Sequence, residues 1–279
     1  MTERRGRADL HIHTIASDGV DDVVSVVERA AGLDDLDVIA ITDHERIDAA
    51  RAGRSIARDR GLAIEVIVGE EVTTLGGHLL ALYIERPIRP YRSIRRTIAD
   101  VHDAGGLAIP AHPLVPYPLC AQGWVLRRLL DDPDEAVRPD ALETFNPTAL
   151  GRPWHDRVVR FADDHHLAHI GNSDAHALEA LGSGWTTFPG RTADDLRAAI
   201  AAGTTEHGGS FHRASGQVGV FGRQLHKRAR DLRDEVAGRV RRDGTGRNHG
   251  YPGGRARPPH FDPAADQRTA GGQQERGRR

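Results

Sequence analysis

The sequence predicts an α/β fold, a TIM-like barrel of seven or eight strand–helix units, and three observations carry that prediction. Short apolar runs of strand length recur along the chain, amphipathic stretches of helical period separate them, and His, Asp and Glu gather where the runs end. The candidate strands are Ala8–His11, Val38–Thr42, Ala63–Val68, Leu79–Ile84, Leu107–Pro110, Ala141–Phe145 and Ala168–Gly171, with Gly184–Thr187 as an eighth. The candidate helices are Asp21–Ala31, Ile47–Arg60, Tyr91–Ala104, Gly123–Leu130, Pro153–His166 and Asp194–Ala202. Such alternation implies parallel strands joined by crossover helices, and the C-terminal ends of barrel strands converge on one face.

The first run ends in His11-Ile12-His13, with Asp18 on the following loop. Side chains alternate along a strand, so both imidazoles leave on one face and form a chelate for a divalent transition metal, to which Asp18 adds a hard oxygen. The second run closes on Asp43-His44, a third imidazole whose neighbouring carboxylate is a ligand neighbour or fixes the ring's tautomer. Glu70 and Glu71 follow the third run; one of them can bridge two metals through its two oxygens, and the other is expected to face solvent. His78 opens the next run. His112 lies between Pro110 and Pro113, which stiffen the backbone that carries it. Asp174 and His176 form a further pair in the loop after the seventh run. Glu143 and Asn146 are expected in or near the same mouth, either lining it against substrate or supporting the ligands from behind, and Arg152, with His155 and Arg157 less so, to meet a phosphate of the substrate at the head of the next helix. His165, His166 and His169 lie away from the strand ends and read as structural or surface residues.

Composition narrows the classes. No stretch approaches the ~18–20 apolar residues of a membrane span. The N-terminus runs directly into the first strand without a secretory leader, and the single Cys120 leaves no intramolecular disulfide, so a cytoplasmic setting is expected. Residues 1–215 carry 23 Lys+Arg against 33 Asp+Glu, whereas residues 216–279 carry 15 against 7. The acidic part suits a domain with metal-binding carboxylates. The basic part divides into an amphipathic helix over 216–242, with Phe221, Leu225, Leu232, Val236 and Val240 at helical spacing, and a Gly/Pro/Arg-rich tail over 243–279 expected to be disordered. There is no Gly-x-Ser-x-Gly elbow, no phosphate-binding Walker loop and no base motif beside Cys120.

On His11-Ile12-His13 with Ser17-Asp18-Gly19, Thr42-Asp43-His44, Glu71, His78, His112-Pro113 and Asp174-Ala175-His176, the chain resembles the PHP (polymerase and histidinol phosphatase) family of metal-dependent phosphoesterases over roughly residues 7–210. The resemblance implies a distorted TIM-like (β/α)7 barrel that binds two or three divalent metals, commonly manganese, iron or zinc. It also selects Glu71 rather than Glu70 as the bridging carboxylate. All the family's metal positions are filled, which argues against a degenerate, non-catalytic copy. Asp18 suits the branch similar to nucleotide and oligonucleotide phosphatases.

The expected chemistry is attack on phosphorus by a hydroxide that bridges the metals, since a bound transition metal lowers the pKa of water from about 15.7 toward 7. Asp18, His112 and His176 are the expected catalytic residues, with His176, His112 or a metal-held water giving the leaving group its proton. The expected substrate is a nucleotide, nucleoside bisphosphate, short oligonucleotide or other phosphorylated small molecule. Alternatives are a histidinol-phosphate-type phosphatase, an amidohydrolase-like hydrolase, or a nucleic-acid-binding module with a metal-stabilised barrel. Lys227, the only lysine, lies in the basic part, which argues against the carbamylated-lysine form of an amidohydrolase. The basic helix and tail offer a contact for nucleic acid, but few aromatics accompany their arginines, so base stacking has little support there.

Overall fold

The computed structural model describes residues 5–148 and 151–211; the expected basic helix over 216–242 and the tail over 243–279 lie outside the described residues. In chain order the elements are β1 (Gly6–Ile12), α1 (Val23–Ala31), β2 (Val38–Ile41), α2 (Asp48–Asp59), β3 (Glu65–Thr74), β4 (Gly77–Leu82), α3 (Ile94–Asp103), β5 (Leu107–Pro110), α4 (Gly123–Leu130), β6 (Ala141–Phe145), α5 (His155–Asp164), β7 (Ala168–Gly171), β8 (Gly184–Phe188), α6 (Ala193–Ala201) and β9 (Glu206–Gly209). Short 3-10 turns stand at Glu135–Val137 and Arg152–Trp154.

The helices start where side chains satisfy their free amides. Asp22 accepts from Ser25 N ahead of α1, Ser93 accepts from Arg96 N ahead of α3, and Thr192 and Asp195 form a reciprocal capping box at α6. Their apolar stripes then bury against the sheet: Val26, Val27 and Ala30 from α1, Ile98 and Val101 from α3, Leu126 and Leu129 from α4. Full burial of one such aliphatic side chain stabilises the fold by about 1.5–3 kcal/mol. Alternation along the strands divides the core into two clusters. Ile39 and Ile41 of β2 join the one packed under α1 to α4, while Val38 and Ala40 join the one that holds Leu196 and Ile200 of α6.

Seven strands form one curled sheet in the order β5-β4-β3-β2-β1-β8-β9, and β6 and β7 form a second. The second sheet lies between the two edges of the first, with Asp140 N donating to Ala108 O on the β5 side and Gly171 N donating to Thr186 Oγ1 on the β8 side, both at 3.0 Å. The barrel is therefore partial. It also departs from uniform parallel pairing: β1–β2, β2–β3 and β6–β7 are parallel, but β3–β4, β4–β5, β1–β8 and β8–β9 are antiparallel.

The reason for the first reversal is local. Only Leu75 and Gly76 separate β3 from β4, too few residues for a crossover, so the chain turns back as a hairpin. Gly77 sits there at φ +122°, and a Cβ on it would collide with the Ala121 backbone, so no other residue fits the turn. β9 was not predicted because Glu-His-Gly-Gly has no apolar alternation; Gly208 and Gly209 are needed where that strand passes under the Trp185 and Phe145 rings.

Candidate metal centre

The hairpin has a direct consequence for the site. Because β4 runs against β3, the start of β4 lies at the same end of the sheet as the ends of β1, β2 and β5, so His78 joins residues that follow those strands. The loop after β7 reaches the same end through backbone bonds: His13 N donates to Ala175 O at 2.8 Å and Ala175 N to His11 O at 3.1 Å, which brings Asp174 and His176 beside the first histidine pair.

The nine residues His11, His13, Asp18, His44, Glu71, His78, His112, Asp174 and His176 fall into four overlapping groups whose ligand atoms lie within 4.8 Å of one another. These are His11–His13–Asp174, His13–His44–Glu71, His13–Asp18–His176 and Glu71–His78–His112. Glu71 lies between five imidazoles. Its Oε2 is 3.2 Å from His11 Nε2, 3.3 Å from His13 Nε2 and 3.4 Å from His44 Nδ1, and its Oε1 is 2.7 Å from His78 Nδ1 and 3.1 Å from His112 Nε2.

The donor set fits divalent cations. His11 Nε2, His13 Nε2 and His78 Nδ1 are buried and have no partner in hydrogen-bond geometry, although an imidazole nitrogen taken out of water normally finds one. Lone pairs of this kind, aimed at shared carboxylates, are what a transition metal uses. The electrostatics agree. Burial alone would depress His11, yet the Asp174, Glu71 and Glu143 carboxylates raise it well above the ordinary imidazole value. Burial likewise opposes the charge on His13, but the Asp174 and Glu71 carboxylates, 3.4 and 3.3 Å from its Nε2, and then Asp18 push it up to about 10. Burial would raise Glu71 and Asp174, and the surrounding imidazoles hold both well below the usual carboxylate range. The carboxylates thus favour positive charge in the cavity, supplied by imidazolium protons or by bound divalent ions that displace them.

A layer of polar residues behind the ligands fixes their positions. Glu143 is fully buried, with Oε1 3.0 Å from His11 Nδ1 and 2.8 Å from the donating Asn172 Nδ2, and with Oε2 accepting from His112 N and Asn146 Nδ2. It therefore orients His11 rather than opening toward a substrate. Asn146 also donates to Asp174 Oδ2 at 3.2 Å. His112 and Asp174 both hold left-handed backbones, at φ +31° and +50°, a costly conformation kept where neighbouring contacts impose it.

Several expectations are corrected. Asp43 directs its carboxylate to the loop after β1 instead of the His44 ring; it accepts from Thr14 N at 2.8 Å, Thr14 Oγ1 at 2.7 Å, Ser17 N at 3.1 Å and Ser17 Oγ, and so pins the turn that carries Asp18. Glu70 is not solvent-facing: alternation along β3 turns it to the other side, where it is buried, accepts from Ile88 N, and is pushed up to about 8 by burial. Arg152 stands exposed at the head of its 3-10 turn with its guanidinium 5.5 Å from the centre of the Phe211 ring, and among the described residues no bond joins it to the histidine cluster. His155 Nδ1 lies 3.1 Å from Thr144 O, facing Phe145 and His207 instead of the mouth.

Three residues of the supporting layer escaped the sequence reading. Asp9 accepts from Ser173 N at 3.0 Å and Gly182 N at 2.9 Å, anchoring the loop of Asp174 and His176, and burial pushes its carboxyl up to about 6. Asn172 accepts from Leu10 N and donates to Glu143. Cys120 lies against His112. An acid inside an apolar strand, as at Asp9, was the one signal available.

Comparison with known proteins places these features in company. A family model described as PHP-associated matches residues 152–205. The uncharacterized protein MJ1587 of Methanocaldococcus jannaschii is 31% identical over 151 residues, which cover 50% of this chain and 81% of that protein. The 5'-3' exoribonuclease Rnm of Salmonella typhimurium is 40% identical over 67 residues, 24% of this chain and 22% of that protein. Among solved structures, a two-domain protein from Bacteroides vulgatus containing a predicted PHP-like metal-dependent phosphoesterase aligns with TM-score 0.59 at 18% identity, covering 74% of this chain and 65% of that one. PsfC from Pseudomonas syringae aligns with TM-score 0.56 at 19% identity, covering 81% and 99%. At this identity the two structures speak for the fold alone.

Proposed function

The chain belongs to the PHP (polymerase and histidinol phosphatase) family, and from that premise we propose that it is a metal-dependent phosphoesterase acting on a nucleotide, nucleoside bisphosphate or short oligonucleotide. The observation that carries this reading is the set of buried, unpartnered imidazole nitrogens around Glu71 and Asp174. The nine clustered residues would hold two or three divalent ions, with manganese, iron or zinc suited to imidazole and carboxylate donors. When bound, such ions polarise phosphoryl oxygens and lower the pKa of a shared water.

The chain's own residues do the rest. Glu71 sits between the groups and can serve two ions at once. Glu143 holds His11 in one orientation through Nδ1, leaving Nε2 for coordination. Several members of the cluster retain some exposure, His44 at 20%, His112 and His176 at 18%, Asp18 at 14% and Asp174 at 13% of their side chains, whereas His11 and His13 have none. They line the open side of the site, where a leaving alkoxide departs. His176, or a water held by the ions, would be the proton donor there, and Asp18 Oδ1, 3.3 Å from His176 Nε2, orients that ring; His112, with Nε2 turned to the ligand cluster and Nδ1 facing Cys120, has no proton to spare. The stretch shared with an exoribonuclease supports a nucleotide-containing substrate. No helix among the described residues is long and apolar enough to cross a membrane, and a cytoplasmic setting completes the proposal.

The test is a panel of phosphoesters (nucleoside bisphosphates, short oligonucleotides, monophosphates and histidinol phosphate) assayed before and after chelation. Activity that vanishes with the chelator and returns with Mn²⁺ is the expected result. A metal-loaded protein inert on the whole panel overturns the reading.

A further inference from the structure

Apart from Ile15 on the turn before Asp18, the large apolar side chains left in solvent among the described residues are not scattered. They include Leu75, Tyr91, Tyr117, Leu119 and Trp124, between 36% and 78% exposed, and all five stand around the β3–β4 turn beside the metal centre. Backbone bonds tie most of them to ligand histidines. Leu119 O accepts from His78 N at 2.8 Å. Tyr91 N donates at 2.7 Å to O of Thr73, whose hydroxyl lies 3.4 Å from His78 Nε2. Leu75 N donates to Arg92 O at 2.8 Å, and Tyr117 O accepts at 3.0 Å from N of Cys120, the residue against His112. Trp124 follows at the start of α4. Tyr91 is 66% exposed and still held at φ +59°, a left-handed backbone that nothing about its own side chain rewards. Arg89 and Arg92 flank it, and among the described residues neither forms an ion pair.

We propose that this rim, built on Tyr91, Tyr117 and Trp124, is a stacking platform for unpaired bases of a single-stranded oligonucleotide, whose backbone meets Arg89 and Arg92 while one of its phosphates lies at the metal centre. The inference rests on the phosphoesterase reading and narrows its substrate class. Exposed aromatic faces beside unpaired arginines are the two components of sequence-tolerant single-strand binding: stacking supplies contact with every base, and the arginines supply charge to the phosphates. A simple phosphomonoester uses neither. The same surface cannot rest on chance exposure of single residues, because the exposed side chains converge on the two loops and the hairpin that hold His78 and His112.

The experiment measures binding by fluorescence anisotropy on the full, Mn²⁺-loaded chain. The probes are a labelled single-stranded hexanucleotide with hydrolysis-resistant phosphorothioate links and the same sugar–phosphate chain without bases. The base-bearing strand should bind at least about tenfold more tightly, and Trp124→Ala, Tyr117→Ala and Tyr91→Ala should each remove about fivefold or more of that difference, with Tyr→Phe retaining it. Arg89→Ala and Arg92→Ala should weaken both strands and flatten the slope of log affinity against log salt by about 0.7 each. Equal binding of the two strands, or rim variants within twofold of the parent, overturns the proposal. So do rim variants that dissociate an oligomer at unchanged hexanucleotide affinity, which would make the patch a contact between copies. A chain that binds bases through the rim yet cleaves no phosphoester overturns the phosphoesterase reading alone; one that cleaves base-free esters and ignores bases overturns only the platform.

Discussion

Cys120 places its Sγ 3.3 Å from Nδ1 of His112, on the far side of the imidazole from Glu71, whose Oε1 lies 3.1 Å from Nε2. With the Nδ1 proton donated to sulfur, Nε2 keeps its lone pair for a metal. Removing the sulfur in Cys120→Ala should lower metal affinity at the Glu71–His78–His112 group by about 10–100-fold, with Cys120→Ser recovering part of it. Competitive titration with a chromophoric chelator, together with the absorption spectrum of the Co²⁺-loaded protein, checks this. Identical spectra and affinities for all three proteins would sink the idea.

Metal loading should stabilise the fold, because the orphaned nitrogens and crowded carboxylates exist only in the folded chain. At free metal about 100 times its Kd, the gain is about 2.7 kcal/mol, or roughly 5–11 °C in Tm for a domain of this size. Calorimetry with and without chelator gives the answer. An unchanged Tm would contradict tight binding at this site.

Asp43 gathers two amides and two hydroxyls of the Thr14–Ser17 turn while only 1% exposed. Asp43→Ala leaves those donors unsatisfied and should cost about 3 kcal/mol, roughly 6–12 °C in Tm. The same change should loosen the metal held with Asp18 more than the one held with His78, which metal analysis of the purified variant can resolve.

Acid stability should depend on His207. Burial, and then the neighbouring His155 and His169, lower its pKa from 6.5 to about 4. Between those values the unfolded chain binds a proton that the folded chain refuses, so stability present above pH 6.5 is lost as pH falls toward 4. His207→Gln cannot take up that proton. Its urea midpoint should therefore fall less steeply than the parent's between pH 6.5 and 4, and parallel curves would refute the assignment.

Most of the ligand cluster was legible because ligands of few chemical types must sit where strands end, and apolar runs mark those ends well. His11, His13, His44 and His112 could be placed that way. His78 was harder: it begins a strand, and only the reversal at Leu75–Gly76 brings it to the same mouth. In the supporting layer Asp43 and Glu143 could be singled out, but their partners could not, for a different reason. Glu143 and Asp43 act through partners 26 to 132 residues apart in bonds such as Ser17–Asp43 and His11–Glu143, and local pattern carries no trace of such pairings. The exposed rim was equally silent, since Tyr117 and Trp124 look in the sequence like any aromatic destined for a core.

His13 belongs to three of the four ligand groups and Glu71 to two. A neutral imidazole presents one lone pair to a metal, so His13 can serve only one of its three groups at a time, whereas the two oxygens of Glu71 can serve both of its own. The groups that meet at His13 would therefore compete for it, and the centre should saturate with fewer ions than it has groups. Sharing one imidazole in this way sets a ceiling on loading that the number of ligands alone would not reveal.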